Sequence, residues 1–247
     1  MASKRLLYAG DGPPEGPAGY LVAILRHLKY SFTHIPPHRF MTREHLRRSY
    51  DAFILSDFPR HRMGPGAEEM LSGSVEQGAG LMMVGGWASF AGPFGGWKGS
   101  LIERQLPVTC LPGDDRVHLA SGGHIFRASP SSIFKGLSFL RPPVIAGLNR
   151  VRPKMGSKVL LTVRSLIPGR DRPRYGDRQY PLMVISSDPH RRTAALTTDL
   201  APHWCGGLVD WGRRRLSLSV CPGRSVEIGD RYLHFVSSIL RWLTAKA

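Results

Sequence analysis

The stretch Gly80-Leu81-Met82-Met83-Val84-Gly85-Gly86-Trp87-Ala88-Ser89-Phe90 decides how the chain is read. Leu81 to Val84 is continuously apolar and of strand length, as expected for a strand covered on both faces. It runs straight into a Gly-Gly turn. A strand ending in small residues and feeding a new element has the composition of a nucleophile elbow, where a strained turn holds up one reactive side chain. Gly85 and Gly86 supply the freedom such a turn needs. Yet Gly86, Trp87 and Ala88, the residues available for the tip, include no nucleophile. The alternative is a turn that only lets Trp87 and Phe90 pack.

Working outward, the first half alternates between strand and helix signals. Arg5 to Ala9, Tyr30 to Ile35 and Asp51 to Leu55 read as strands. Tyr20 to Leu28 places Leu21, Ile24, Leu25 and Leu28 on one helical face, and Ala67 to Gln77 reads as a helix closed by Gly78. Strands separated by helices predict βαβ units and a mainly parallel sheet. Residues 107 to 155 carry six prolines, at 107, 112, 130, 142, 143 and 153, which exclude long helices there. Val144 to Val151, Lys158 to Arg164, Leu182 to Ile185 and Thr193 to Thr198 read as strands. The polar segment Pro168 to Arg178 reads as a mobile loop, and Tyr232 to Leu243 as an amphipathic helix. No repeat, linker or low-complexity tract divides the chain, so residues 1–247 are expected to form one domain.

In open α/β sheets, ligands gather outside the carboxyl ends of the strands. Four loops leave such ends: Gly10 to Gly16, Ser56 to Arg60, Gly85 to Gly96 and Asp199 to Trp204. They nominate Gly10, Asp11, Gly85, Gly86, Trp87 and Trp204 as ligand-binding residues. Trp87, Trp97 and Trp204 suit stacking on a flat ligand, or a contact between protomers of a homo-oligomer.

For chemistry the candidates are Ser89 and Cys110 as nucleophiles, His203 as base, and Asp199 to orient the histidine or bind a substrate hydroxyl. Arg104 and Arg116 lie close to Cys110 in sequence and would lower its pKa. The alternative for Cys110 is a small buried core residue. Asp114-Asp115-Arg116 reads as a turn or ion pair, since adjacent aspartates fall short of a metal-ligand set. No cofactor or metal motif is present, and the glycine-rich stretch from 85 to 99 lacks a P-loop.

Thirty-four Lys and Arg against 18 Asp and Glu give the 247-residue chain a net charge of +16. The basic residues are scattered, with their densest runs at Arg47-Arg48, Arg191-Arg192 and Arg213-Arg214-Arg215. That distribution argues against specific nucleic-acid binding. Three cysteines without a CxxC motif, no spanning apolar run and no signal-peptide core predict a cytoplasmic protein without membrane attachment.

Several strings resemble a family of bacterial glutamine amidotransferase-like proteins. They are Leu7-Tyr8-Ala9-Gly10-Asp11-Gly12, Gly85-Gly86-Trp87-Ala88-Ser89-Phe90, Leu106-Pro107-Val108-Thr109-Cys110-Leu111-Pro112, Asp114-Asp115-Arg116-Val117, Gly147-Leu148-Asn149-Arg150-Val151 and Thr198-Asp199-Leu200-Ala201-Pro202-His203-Trp204. The resemblance implies a flavodoxin-like three-layer α/β/α sandwich of the class I glutamine amidotransferase type. Working members of that class are expected to carry a Gly-x-Cys-x-Gly elbow and a later His-x-Glu. This sequence has neither. The expectation is a domain that has lost the usual Cys-His-Glu glutaminase and binds a small molecule or a partner at the strand-end cleft. The rivals are a hydrolase with rewired residues and a non-catalytic oligomerising module.

Overall fold

The structure, a computed structural model, describes residues 4–170 and 174–245. Its strands are β1 (Arg5–Gly10), β2 (Ser31–Ile35), β3 (Ala52–Ser56), β4 (Gly80–Val84), β5 (Val108–Cys110), β6 (Arg116–Arg127), β7 (Val144–Asn149), β8 (Val151–Pro153), β9 (Ser157–Ile167), β10 (Arg174–Ser186), β11 (Thr193–Leu196), β12 (Arg215–Cys221) and β13 (Arg224–Gly229). Its helices are α1 (Ala18–His27), α2 (Arg43–Leu46), α3 (Ala67–Glu76), α4 (Leu101–Gln105), α5 (Pro202–Cys205) and α6 (Asp230–Leu243).

Nine strands form one sheet in the order β2-β1-β3-β4-β11-β10-β9-β6-β7. From β2 to β11 every pairing is parallel. From β11 to β7 every pairing is antiparallel. The sheet is therefore mixed, which corrects the expectation of a mainly parallel one. The physical reason lies in the connections. Parallel neighbours need a crossover, and helices supply it in the first half. The proline-punctuated middle of the chain offers no such helices. It joins β6, β7, β9 and β10 through loops and hairpins.

The segment expected to be a loop, Pro168 to Arg178, is corrected as well. β10 begins at Arg174 and pairs back on β9, with Arg174 opposite Ile167 and Tyr175 opposite Leu166. Residues 171–173 lie outside the described residues. A long hairpin extends here because alternating partners hold it: Arg164 stacks on Tyr175, whose hydroxyl meets His124 Nδ1 at 2.8 Å.

Period-two alternation sends β1 side chains to two cores. Leu6 and Tyr8 join Ile54, Met82 and Val84 under α1 and α6. Leu7 and Ala9 join Phe53, Leu55, Leu81 and Met83 under α2, α3 and α4. This accounts for the unbroken apolar run of β4: each face of the sheet is covered. Burying a side chain of this size is worth roughly 1.5–3 kcal/mol, so these strands are firmly seated. Such seating fixes the positions of the loops that leave their carboxyl ends. α6 adds a direct tie to one of those loops, because the buried Tyr232 hydroxyl donates to the Leu200 carbonyl at 2.5 Å.

Candidate functional site

Four adjacent parallel strands, β1, β3, β4 and β11, end side by side, and the loops that follow them line one cavity of about 390 Å³. Asp11 comes from the first loop, Asp57 from the second, Gly86 and Trp87 from the third, and Asp199, His203 and Trp204 from the fourth. Two larger grooves, of about 660 and 690 Å³, exist elsewhere on the surface, and none of these three aspartates lines either.

The backbone at the first two strand ends is unusual in the same way. Asp11 and Asp57 each follow their strand directly and adopt left-handed φ of 54° and 52°. Aspartate tolerates that region better than most residues, and the turn re-aims the carboxylate across the strand end. Gly10 has to be glycine: its φ is 124°, and a Cβ would overlap the Ser56 carbonyl oxygen. The Asp11 carboxylate accepts the Tyr8 hydroxyl at 2.6 Å. Tyr8 stacks on His34, which hydrogen-bonds the Gly10 carbonyl at 2.9 Å.

The turn after β4 is clamped from two sides. Asn149, fully buried at the end of β7, accepts the Gly86 N–H at 2.9 Å and donates to the Gly86 carbonyl at 3.1 Å. It also donates to the buried Asp115 carboxylate at 2.7 Å, whose second oxygen accepts the Ala91 N–H. From the other side, Asp57 Oδ1 accepts the Ala88 N–H, and the Trp87 N–H adds to the stabilisation of the same carboxylate. A Cβ on Gly86 would lie 2.5 Å from Asp57 Oδ1, so the carboxylate sits directly against the turn. In an elbow, backbone N–H groups at this point serve a developing oxyanion. Here a side chain of the same molecule occupies them.

Burial raises the carboxyl pKa values of all three cavity aspartates. Asp11 is held well above the ordinary carboxylate range by desolvation, with the Asp199 charge adding to the effect. Asp57 is raised by desolvation against the opposing pull of the Ala88 N–H and of His203. Asp199 is pushed up to about 7, by desolvation first and then by the neighbouring Asp57, although its Oδ1 accepts the Leu200 and Ala201 N–H groups. Like charges in one dry pocket cannot all ionise together.

The sequence candidates separate cleanly. Asp11, Gly86, Trp87, Asp199, His203 and Trp204 line the cavity, with Gly10 and Gly85 just behind it. Ser89 does not line it. It is buried, and its Oγ accepts the Asp57 N–H at 3.0 Å, so it serves the turn instead of facing His203. Cys110 does not line it either. It lies buried on β5 in the core beneath α4, and desolvation together with the Glu103 carboxylate pushes its thiol pKa up, not down as the nearby arginines suggested. Trp97 is also corrected: it is fully buried, and its indole N–H donates to the Phe58 carbonyl at 3.0 Å. Asp114 pairs with Arg116 at 2.7 Å, while Asp115 turns inward to Asn149. Arg116 in turn stacks over the half-exposed Trp87 at 4.1 Å.

Asp57 and Asn149 were not singled out from the sequence. The usable signal for Asp57 was positional, since Ser56-Asp57 leaves β3 just as Gly10-Asp11 leaves β1. Asn149 stood within the family-like string Gly147 to Val151 as a polar residue ending an apolar strand. Among the described residues no group of three His, Cys, Asp or Glu side chains is placed to hold a metal ion. None of the described helices is long and apolar enough to cross a membrane.

Known proteins share this architecture. A cytoplasmic protein of Salmonella typhimurium LT2, STM1381, superposes with a TM-score of 0.72 at 22% identity, covering 98% of this chain and 100% of that one. Cytoplasmic protein STM3548 of Salmonella typhimurium gives 0.71 at 22%, covering 96% and 98%. A putative GMP synthase protein of Thermoplasma acidophilum gives 0.53 at 8%, covering 98% and 95%. No curated protein sequence matches. The family model described as "Putative glutamine amidotransferase" matches residues 15–218, most of the chain, and the protein belongs to that family, with an α/β fold of the class I glutamine amidotransferase-like kind.

Proposed function

We propose that this protein binds a small polar molecule in the strand-end cavity and does not hydrolyse glutamine by the Cys-His-Glu route. The observation that carries this reading is the Asp57 carboxylate seated on the backbone N–H of Ala88, at a turn whose tip has no nucleophile. An acyl-transfer site needs that donor free and a thiol or hydroxyl beside it. This cavity has the donor filled and the nucleophile missing. The rewired-hydrolase reading is weakened by the placement of Ser89 and Cys110 away from the cavity.

Three aspartates, one histidine and two indole walls favour a ligand rich in hydrogen-bond donors, such as a polyol or an amine, that stacks on Trp87 or Trp204. Asp199, titrating near 7, is suited to exchange a proton with such a ligand. The reading takes residues 1–247 as one cytoplasmic domain and its sandwich as the flavodoxin-like three-layer type.

The test has two parts. Ammonia release from L-glutamine is expected to be absent, and activity that disappears in Cys110→Ala or Ser89→Ala would overturn the denial of chemistry. A thermal-shift panel of polyols and amines is expected to yield binders that Asp199→Ala and Trp204→Ala both lose. Binders unaffected by either change would place the ligand elsewhere.

A further inference from the structure

The arginine run Arg213-Arg214-Arg215 has no role in the strand-end cavity, and its three members do different things. Arg214 pairs with Asp230 at 3.7 Å. Arg215 pairs with Asp210 and, at 3.5 Å, with Glu227. Arg213 engages Asp230 through its backbone N–H alone, at 2.9 Å. Its side chain instead lines a second cavity, of about 270 Å³, together with Arg141 from the loop before β7 and Arg231 from the first turn of α6. Among the described residues Arg141, Arg213 and Arg231 find no carboxylate within ion-pair distance. The nearby carboxylates, Asp210 and Asp230, are already engaged.

A fourth residue marks the same place. Trp211 lines this cavity, is 7% exposed, and its buried indole N–H has no hydrogen-bond partner. Arg231 lies over its ring at 5.9 Å. Three guanidinium groups lining one cavity, none paired with a carboxylate through its own side chain, repel one another. That arrangement favours an acceptor-rich anion. A single carboxylate would balance one of the three charges. A phosphate or diphosphate balances two or more and presents several oxygens to the forked guanidinium N–H groups. The volume of about 270 Å³ suits a group of that size.

We propose that Arg141, Arg213 and Arg231, with Trp211 beside them, form a binding site for a phosphate-bearing small molecule, separate from the strand-end cavity. The probe is inorganic pyrophosphate, titrated into the full chain by calorimetry at low and physiological salt. Saturable one-to-one binding is expected, weakening as salt rises. Arg141→Ala and Arg213→Ala, both at exposed positions, are each expected to lose at least tenfold in affinity while keeping the unfolding midpoint. Arg26→Ala on the exposed side of α1 is the charge-matched control and is expected to bind like the parent. A parallel titration with a nucleoside diphosphate shows whether the flanking group is also recognised: equal or tighter binding through the same arginines supports the site. Absence of pyrophosphate binding at millimolar concentration would overturn the proposal. So would an equal loss in Arg26→Ala, which would mean only a diffuse basic surface.

Discussion

The parallel and antiparallel halves of the sheet divide the labour at the strand-end cavity. β1, β3, β4 and β11 point the same way, so their carboxyl ends share one edge and the loops leaving them meet. In the antiparallel half successive strands reverse, and the loops are dealt alternately to opposite edges. That half contributes support instead. Asn149 and Asp115 fasten the turn after β4, and Gly147 makes room for the indole of Trp204, which a Cβ there would approach to 2.7 Å. The cavity lining collects where strand direction is uniform, and its support comes from where it is not.

The largest expected effect breaks the parallel edge. Gly10→Ala places a methyl group onto the Ser56 carbonyl at a φ that disfavours side chains, and a loss of more than about 3 kcal/mol is expected in urea unfolding. A loss confined to a few tenths would mean that the strand ends are not tightly joined. Next comes the support from the antiparallel half. Asn149→Ala strands the Gly86 N–H and the Asp115 carboxylate in a dry interior, at a cost of about 2–4 kcal/mol. Ligand affinity in the strand-end cavity should fall with it. Stability falling while affinity holds would show that the support is not transmitted to the site.

A smaller effect tests the electrostatics. The folded pKa of Asp199 lies above its unfolded value, so the folded state binds more protons between about pH 4 and 7, and stability declines as pH rises through that window. Asp199→Asn keeps the acceptor for Leu200 and Ala201. It should flatten that decline and gain on the order of 1 kcal/mol at pH 8 in chemical unfolding. An unchanged pH profile would remove Asp199 from the set of raised carboxyls. The smallest effect concerns the rim. Arg116→Ala removes the cation stacked on Trp87 and is expected to alter indole fluorescence without changing the fold. Thiol reactivity separates core from surface independently. Iodoacetamide should label the partly exposed Cys221 in the native chain and leave Cys110 and Cys205 to react only on unfolding, as mass spectrometry can read.

Local patterns read the crossover half most fully, and also located β7, β9, the end of β10, β11 and α6. The spacing of Leu21, Ile24 and Leu25 and the solid apolar run of β4 located α1 and the central strand directly. The twelve-residue β6, the hairpin of β12 and β13 and the start of β10 carry mixed polar and basic residues. Their strand state comes from cross-strand partners, near in sequence for β12 with β13 and for β10 with β9, which the pattern of a single strand does not reveal. Loop composition nominated Asp11, Trp87, Asp199, His203 and Trp204, all of which line the strand-end cavity, because those residues are out of place in a mere connection. It misjudged Ser89, Cys110 and Trp97, whose burial depends on packing against other segments. It passed over Asp57 and Asn149, whose importance lies in which backbone N–H they face.

The Asp57 carboxylate on the turn has a consequence for how the protein's history can run. A cysteine introduced at the tip would arrive in a pocket already stoppered from within, and would gain nothing until Asp57 also changed. Replacing Asp57 alone would leave the Ala88 N–H open with no nucleophile to serve. On the proposed reading neither step helps without the other, so gaining glutamine hydrolysis would have to cross an unrewarded intermediate, whereas a change of ligand could proceed one substitution at a time.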